Sequence, residues 1–262
     1  MSNSNKEYKI VSKSVAPIYS KPSFSSELIN QALFWEELIV ENSSDNWLKI
    51  KQKDGYVGWV HSFYITDSKT YDNNKFLKNI DNWYFVKSQF LEIITHQKDS
   101  LFLSFGSKIP CITKNNKFYI ILPNGDENYI DKNSLINVNR NMSMDNVIEL
   151  SKSLLNVPYL WGGRSSYGID CSGLIQLLLG FMKIYLPRDT KDQIKYENMA
   201  LVTDNYIKGD LIFFSKNNII NHIGMLINEN EYIHSSGCVK IDTLKSDTNL
   251  NSMIDSVYRI EI

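Results

Sequence analysis

Two tight-turn dipeptides, Asp54-Gly55 and Asn124-Gly125, sit in matching surroundings. The first lies between NWLKIKQK and YVGWV, the second between KFYIILP and DENYI. Such dipeptides supply the positive φ that a short hairpin loop demands, so each marks two antiparallel strands. Trp59-Val60 follows Gly55 at the same offset as Tyr129-Ile130 follows Gly125, and each copy then runs through a short polar piece to an apolar end, HSFYI and DKNSLI. The echo predicts two copies of one small β-barrel, over 1–68 and 69–139. Two unrelated hairpins with common turn chemistry are the competing reading. Runs such as YKIVS and ELIVEN, bounded by Asn, Ser, Asp, Gly and Pro, fit the β character of this half.

From residue 140 the pattern changes. MSMDNVIELSKSLLNV carries Val147, Ile148, Leu154 and Leu155 among polar residues, which suits an amphipathic helix that Pro158 ends. The run from Leu174 to Met182 has almost no polar side and predicts a buried helix starting near Cys171. DLIFFS, HIGMLI, EYIHSS, CVKIDT and SVYRIEI then read as strands. Helices followed by a sheet make residues 140–262 an α+β domain.

Cys171 falls between a glycine-rich turn and that helix. A thiol is nucleophilic as its thiolate, and the unpaired N–H groups and dipole of a helix start favour negative charge. Gly162, Gly163 and Gly168 are expected to let a ligand backbone approach, and Gly173 to keep the helix start uncrowded. Of four histidines, His61 and His96 lie in the β half and read as surface or strand residues. His222 and His234 lie on two strands joined by the polar turn NENE. Adjacent strands put such a pair within reach of one another, giving nucleophile, base and orienter.

Several motifs occur in order: YLWGG, GIDCSGL, LPRDTKDQ, GDLIFF, HIGMLI and YIHSSG. Together they resemble the NlpC family of papain-like bacterial cell-wall peptidases over roughly 145–262. The Trp-bearing strand, Asp-Gly hairpin and YVGWV strand resemble bacterial SH3-type domains for about 7–67, and more weakly for about 75–138, where Asn128-Tyr129 replaces Gly-Trp. With both parts, the chain is most similar to γ-D-glutamyl-L-diamino acid endopeptidases, the dipeptidyl-peptidase VI type. The resemblance implies Cys171 as nucleophile, His222 as base, His234 as the orienting residue and Tyr159 as an oxyanion-hole donor. It implies Trp161 as a cleft wall and Asp170 as a receptor for the ammonium of an N-terminal L-Ala. Ser172, Arg188, Asp189 and Thr190 are expected to line the D-Glu side, Arg188 by pairing with its α-carboxylate. Tyr56 is expected either to close the amine end of the cleft or to be barrel core, with Glu27 or Glu36 as a second carboxylate.

The implied reaction cuts the γ-D-Glu–diamino acid bond of free murein peptides with an unblocked L-Ala, in cell-wall peptide recycling, without metal or cofactor. The alternative is a hydrolase of intact wall anchored by its SH3-type modules. A zinc site from Cys171, His222, His234 and Cys238 is a third reading, disfavoured because zinc ligands usually come in close pairs. A net charge of −1 points to neither nucleic acid nor an anionic membrane. The mixed-charge start MSNSNKEYKI lacks the apolar core of a signal peptide, and three widely spaced cysteines (Cys111, Cys171, Cys238) form no disulfide framework. A cytoplasmic monomer acting on a small peptide is the expectation.

Overall fold

The computed structural model describes residues 7–67, 83–245 and 248–261. The chain divides into two units, Met1–Arg140 and Asn141–Ile262. The expected boundary at 68/69 lies outside the described residues.

The first unit opens with seven strands: β1 (Tyr8–Val11), β2 (Val15–Tyr19), β3 (Leu28–Leu33), β4 (Glu37–Ser44), β5 (Trp47–Lys51), β6 (Val57–His61) and β7 (Ile65–Asp67). They form one antiparallel sheet in the order β3-β2-β6-β5-β4-β1-β7. Seven more follow: β8 (Trp83–Val86), β9 (Phe90–Ile94), β10 (Ser100–Ser104), β11 (Lys108–Lys114), β12 (Lys117–Ile121), β13 (Glu127–Tyr129) and β14 (Leu135–Asn137). They repeat the order, but split into β10-β9 and β13-β12-β11-β8-β14.

The split sits where the two copies differ in sequence. In the first copy Gly58 lets β6 approach β2: a Cβ there would come within 2.4 Å of Ile18 Cγ2 and 3.1 Å of the Tyr19 carbonyl. In the second copy Asn128 stands at this place, and its Nδ2 donates to the Ile94 carbonyl at 2.7 Å, a side-chain bond where the first copy has strand pairing. The copies are also tied together. Trp35 is buried with φ 69, a left-handed conformation costly for a bulky residue. Its Nε1 donates to the Ile121 carbonyl at 2.8 Å and its ring meets Trp83 edge-on. Burying an indole with a satisfied N–H offsets that strain. His61, read from sequence as a surface or strand residue, ends β6 buried among Phe24, Trp47 and Phe63, its Nδ1 accepting from the Phe63 N–H.

The second unit is α+β. Helix α1 (Met144–Ser151) starts at a reciprocal cap between Ser143 and Asn146 and buries Val147 and Ile148. It yields to a tight turn over Lys152–Leu154, shorter than the apolar spacing suggested. A small hairpin, β15 (Arg164–Ser165) and β16 (Gly168–Ile169), precedes α2 (Cys171–Gly180), and α3 (Thr190–Gln193) is a single turn. Six strands then form an antiparallel sheet: β17 (Met199–Val202), β18 (Leu211–Lys216), β19 (Ile219–Leu226), β20 (Glu231–Ser236), β21 (Cys238–Thr243) and β22 (Ile254–Ile260), in the order β17-β22-β18-β19-β20-β21. Helix α2 packs on β19 and β20 with Leu174, Ile175, Leu178 and Leu179 fully buried. At roughly 1.5–3 kcal/mol per buried aliphatic side chain, this face fixes the helix start against the sheet. Among the described residues no helix is long and apolar enough to cross a membrane.

Candidate active site

Asp170 is the N-cap of α2, its Oδ1 accepting from the Gly173 N–H at 2.7 Å, which makes Cys171 the first helical residue. The Cys171 Sγ is buried, lies 3.8 Å from Thr190 Oγ1, and accepts from the backbone N–H groups of Ser172 and Ile223. Ile223 follows His222 on β19, so the thiol rests against the strand that carries the first histidine. His222 Nε2 lies 2.8 Å from His234 Nδ1, and His234 Nε2 lies 3.0 Å from Asp242 Oδ2. Asp242 in turn meets Lys240 Nζ at 3.2 Å. Gly224 pairs with His234 across the sheet, where a Cβ would come within 3.3 Å of the His234 Cβ and 2.9 Å of the Tyr232 ring.

Tyr159 is placed by the chain beyond Pro158, which runs beside β21. Its N–H donates to the Gly237 carbonyl, Asn156 and Val157 bond Val239, and Pro158 bridges to Cys238. Burial first, then the nearby Cys171 and Asp170, pushes the Tyr159 hydroxyl up to about 12, so it stays a donor at neutral pH. Trp161 is 62% exposed.

Electrostatics correct one expectation. Burial raises the Cys171 thiol above its ordinary value and Asp170 adds to this, outweighing the donors from Thr190, Ile223 and Ser172. The helix start alone does not make a resting thiolate here. Burial, with His234 and Lys240, takes His222 down to about 3. Burial also lowers His234, against the opposing pull of Asp242. For Asp242, burial acts upward, but bonds from Lys240 and His234 prevail and hold it below the usual range. The resting site is therefore a neutral thiol beside neutral imidazoles.

Asp170 and Arg188 were expected to meet opposite ends of a substrate; they meet each other. Arg188, 3% exposed, donates Nη2 to Asp170 Oδ2 at 2.6 Å and Nη1 to Oδ1 at 3.0 Å. Asp170 also accepts from Gly162 N–H, Gly173 N–H and Ser172 Oγ. A carboxylate offers about four lone-pair sites, so an ammonium would have to share an oxygen already in use. Arg188 is thus held against Asp170, and Ser172, which also accepts from Arg188 Nη1, belongs to the same buried knot. The chain's own packing already requires two of the glycines: a Cβ on Gly163 would lie 2.4 Å from the Gly168 carbonyl, and one on Gly173 2.4 Å from the Gly163 carbonyl. Asp189 is half-buried, 3.8 Å from Lys191 Nζ, and Thr190 touches the thiol.

In the first unit, Tyr56 is half-buried at the Asp54-Gly55 turn, its N–H donating to Asp54 Oδ1. Glu36 accepts from Gln52 Nε2, and Glu27 is exposed. Sequence reasoning missed Asp242, Lys240 and Gly224; period-two spacing on CVKIDT puts Lys240 and Asp242 on one face and was the available signal. Among the described residues no three His, Cys, Asp or Glu side chains are grouped to hold a metal ion.

A buried thiol at a helix start, beside a strand that carries one of two paired histidines, holds the groups that a cysteine peptidase uses. The comparisons agree: residues 156–257 match the NlpC/P60 family and residues 14–66 match the bacterial SH3 domain, so this is a cysteine peptidase with an NlpC/P60 domain and an SH3-type module ahead of it. More particular relatives exist. A γ-D-glutamyl-L-lysine dipeptidyl-peptidase from Bacillus cereus is 26% identical over 80% of this chain and 68% of its own length. Dipeptidyl-peptidase 6 of Lysinibacillus sphaericus is 25% identical over 87% of each chain. The crystal structure of an NlpC/P60 family protein from Bacillus cereus matches with a TM-score of 0.85 over 97% of this chain and 99% of its own, at 22% identity, which shows the shared fold.

Proposed function

We infer that the protein hydrolyses the bond between γ-linked D-Glu and the following diamino acid in short cell-wall peptides with a free N-terminal L-Ala, releasing L-Ala-D-Glu for recycling. The observation that carries this is the Cys171 thiol held on the His222 strand, with His222 backed by His234. The names of the relatives, two of them γ-D-glutamyl-L-lysine dipeptidyl-peptidases, support the bond and favour lysine as the diamino acid. In this reading Cys171 Sγ attacks the γ-carbonyl carbon as His222 takes the thiol proton. The neutral resting pair makes this transfer part of the attack rather than a prior step. Tyr159 O–H donates to the oxyanion. His222 returns the proton to the leaving amine as the C–N bond breaks, and water then hydrolyses the thioester. Trp161 flanks the substrate, and Asp189 and Thr190 sit on the D-Glu side.

The test is a panel of L-Ala-γ-D-Glu-L-Lys and its diaminopimelate counterpart, each free and N-acetylated, beside purified sacculi, with products read by mass. Free peptides should yield L-Ala-D-Glu, acetylated ones little, sacculi none. Cys171→Ala should abolish turnover with the fold retained. Equal cleavage of blocked and free peptides, or release from sacculi, would replace this reading with a wall hydrolase.

A further inference from the structure

This inference rests on the reading of Cys171 and His222 as nucleophile and base, and concerns what decides which nitrogen of His222 is free. Asp242 is held below the usual carboxylate range, so it is an anion that can only accept. His234 Nε2, 3.0 Å away, must therefore donate. Neutral imidazole has one N–H, which leaves His234 Nδ1 as an acceptor. The atom 2.8 Å from it, His222 Nε2, must then carry the proton it accepts. His222 Nδ1 is left bare. It is the only nitrogen of the relay able to take a proton from the thiol.

The opposite arrangement fails. With the proton on His234 Nδ1, His222 Nε2 becomes the acceptor, and neutral His222 carries its proton on Nδ1, where it cannot act as a base. We propose that Asp242 is a positioning residue for the reaction: acting through His234, it selects the tautomer of His222 that can receive the thiol proton. Lys240 holds the Asp242 carboxylate in place from the same strand. Lys240 also acts on His234 itself, disfavouring its protonation, while His222 faces it from β19 and the Tyr232 ring lies beside it with its hydroxyl bonded to Asn251. When His222 is protonated, its Nε2–H keeps the same bond, so the relay accepts the charge without rearranging.

The sequence makes this possible through register. β20 and β21 turn at Gly237, pairing His234 with Lys240 and Tyr232 with Asp242. Asp242 thus reaches His234 on the diagonal, a distance spanned by side chains sharing a sheet face.

The experiment uses the full chain. Histidine ring nitrogens are read by 15N-edited NMR without substrate, and steady-state kinetics follow. The wild type should show His222 protonated at Nε2. In Asp242→Asn the amide can donate as well as accept, so the Nδ1–H tautomer should appear, kcat should fall about 10²-fold and KM should stay within about twofold. Asp242→Glu should restore the tautomer and part of kcat. His222 protonated at Nδ1 in the wild type, or Asp242→Asn with unchanged tautomer and kcat, would overturn the proposal. The wild-type spectrum decides even if a variant does not fold. Turnover retained in Cys171→Ala would instead remove the thiol reading and leave the tautomer result standing.

Discussion

The thiol side and the imidazole side of the site each contain a carboxylate paired with a cation, and the two pairs behave oppositely. Asp170 and Arg188 lie 2.6 Å apart with side chains only 9% and 2% exposed. Asp242 and Lys240 lie 3.2 Å apart, 25% and 41% exposed. The first pair comes from distant parts of the sequence and gathers loop, helix start and Ser172 around itself. The second sits two residues apart on one strand and points along a chain of exchangeable protons. A buried charge is tolerated only when fully bonded, so it suits scaffolding; a half-solvated charge costs little and suits proton control. Arg188→Met tests this most strongly. It leaves a carboxylate buried without its cation and should cost about 3–5 kcal/mol, read as a lower denaturation midpoint. Lys240→Met should cost less than about 1 kcal/mol. Equal losses would break the comparison.

The same division predicts opposite responses to pH. An unfolded imidazole binds a proton below about 6.5, whereas folded His222 remains neutral down to about 3. Between these values the unfolded state binds more protons, so stability falls as pH is lowered. From pH 7 to pH 5, His222 alone should cost on the order of 2 kcal/mol, and His234, also lowered, adds to the loss. The raised thiol works the other way. Above about pH 8.5 the unfolded thiol releases its proton while the folded one keeps it, so stability falls as pH rises. Urea denaturation across pH should show both flanks. His222→Gln should make the acid flank shallower, with His234 still contributing, and Cys171→Ala should delay the alkaline one to the range where the raised Tyr159 and Tyr232 hydroxyls act; either substitution changing both flanks would merge the two halves.

Much of the imidazole side was legible because strands write their faces in alternate residues. HIGMLI and YIHSSG place His222 and His234 on neighbouring strands from spacing alone. Asp242 was not legible, because its contact depends on the register set by the turn at Gly237. The thiol side was legible in its backbone: a helix start at Cys171, then a buried apolar run. Its charges were not. Nothing in the spacing of Asp170 and Arg188 announces a pair, and each was assigned to a side of the substrate by the family resemblance. The N–H groups of Gly162 and Gly173 supply what sequence could not show, a prepared seat for the carboxylate. In the first unit the repeat was visible in its turns, and the exchange of Gly58 for Asn128 was visible as a departure. Its consequence, the opening of one sheet into two, required the contact with Ile18.

The finest distinction between the two sides is at Thr190. Its hydroxyl, 3.8 Å from Cys171 Sγ, is among the groups that resist the upward shift of the thiol. Thr190→Val keeps the side-chain shape and removes that hydroxyl. The thiol should then titrate still higher, and its alkylation by iodoacetamide should require a more alkaline pH. Stability should change by no more than about 1 kcal/mol, because Arg188, Asp170 and the cap of α2 are untouched. The histidines should keep their tautomers, since Thr190 makes no bond to the relay among the described residues. A shift of the histidine signals in Thr190→Val would show that the thiol environment reaches into the relay, and the two sides would then have to be treated as one coupled titrating unit.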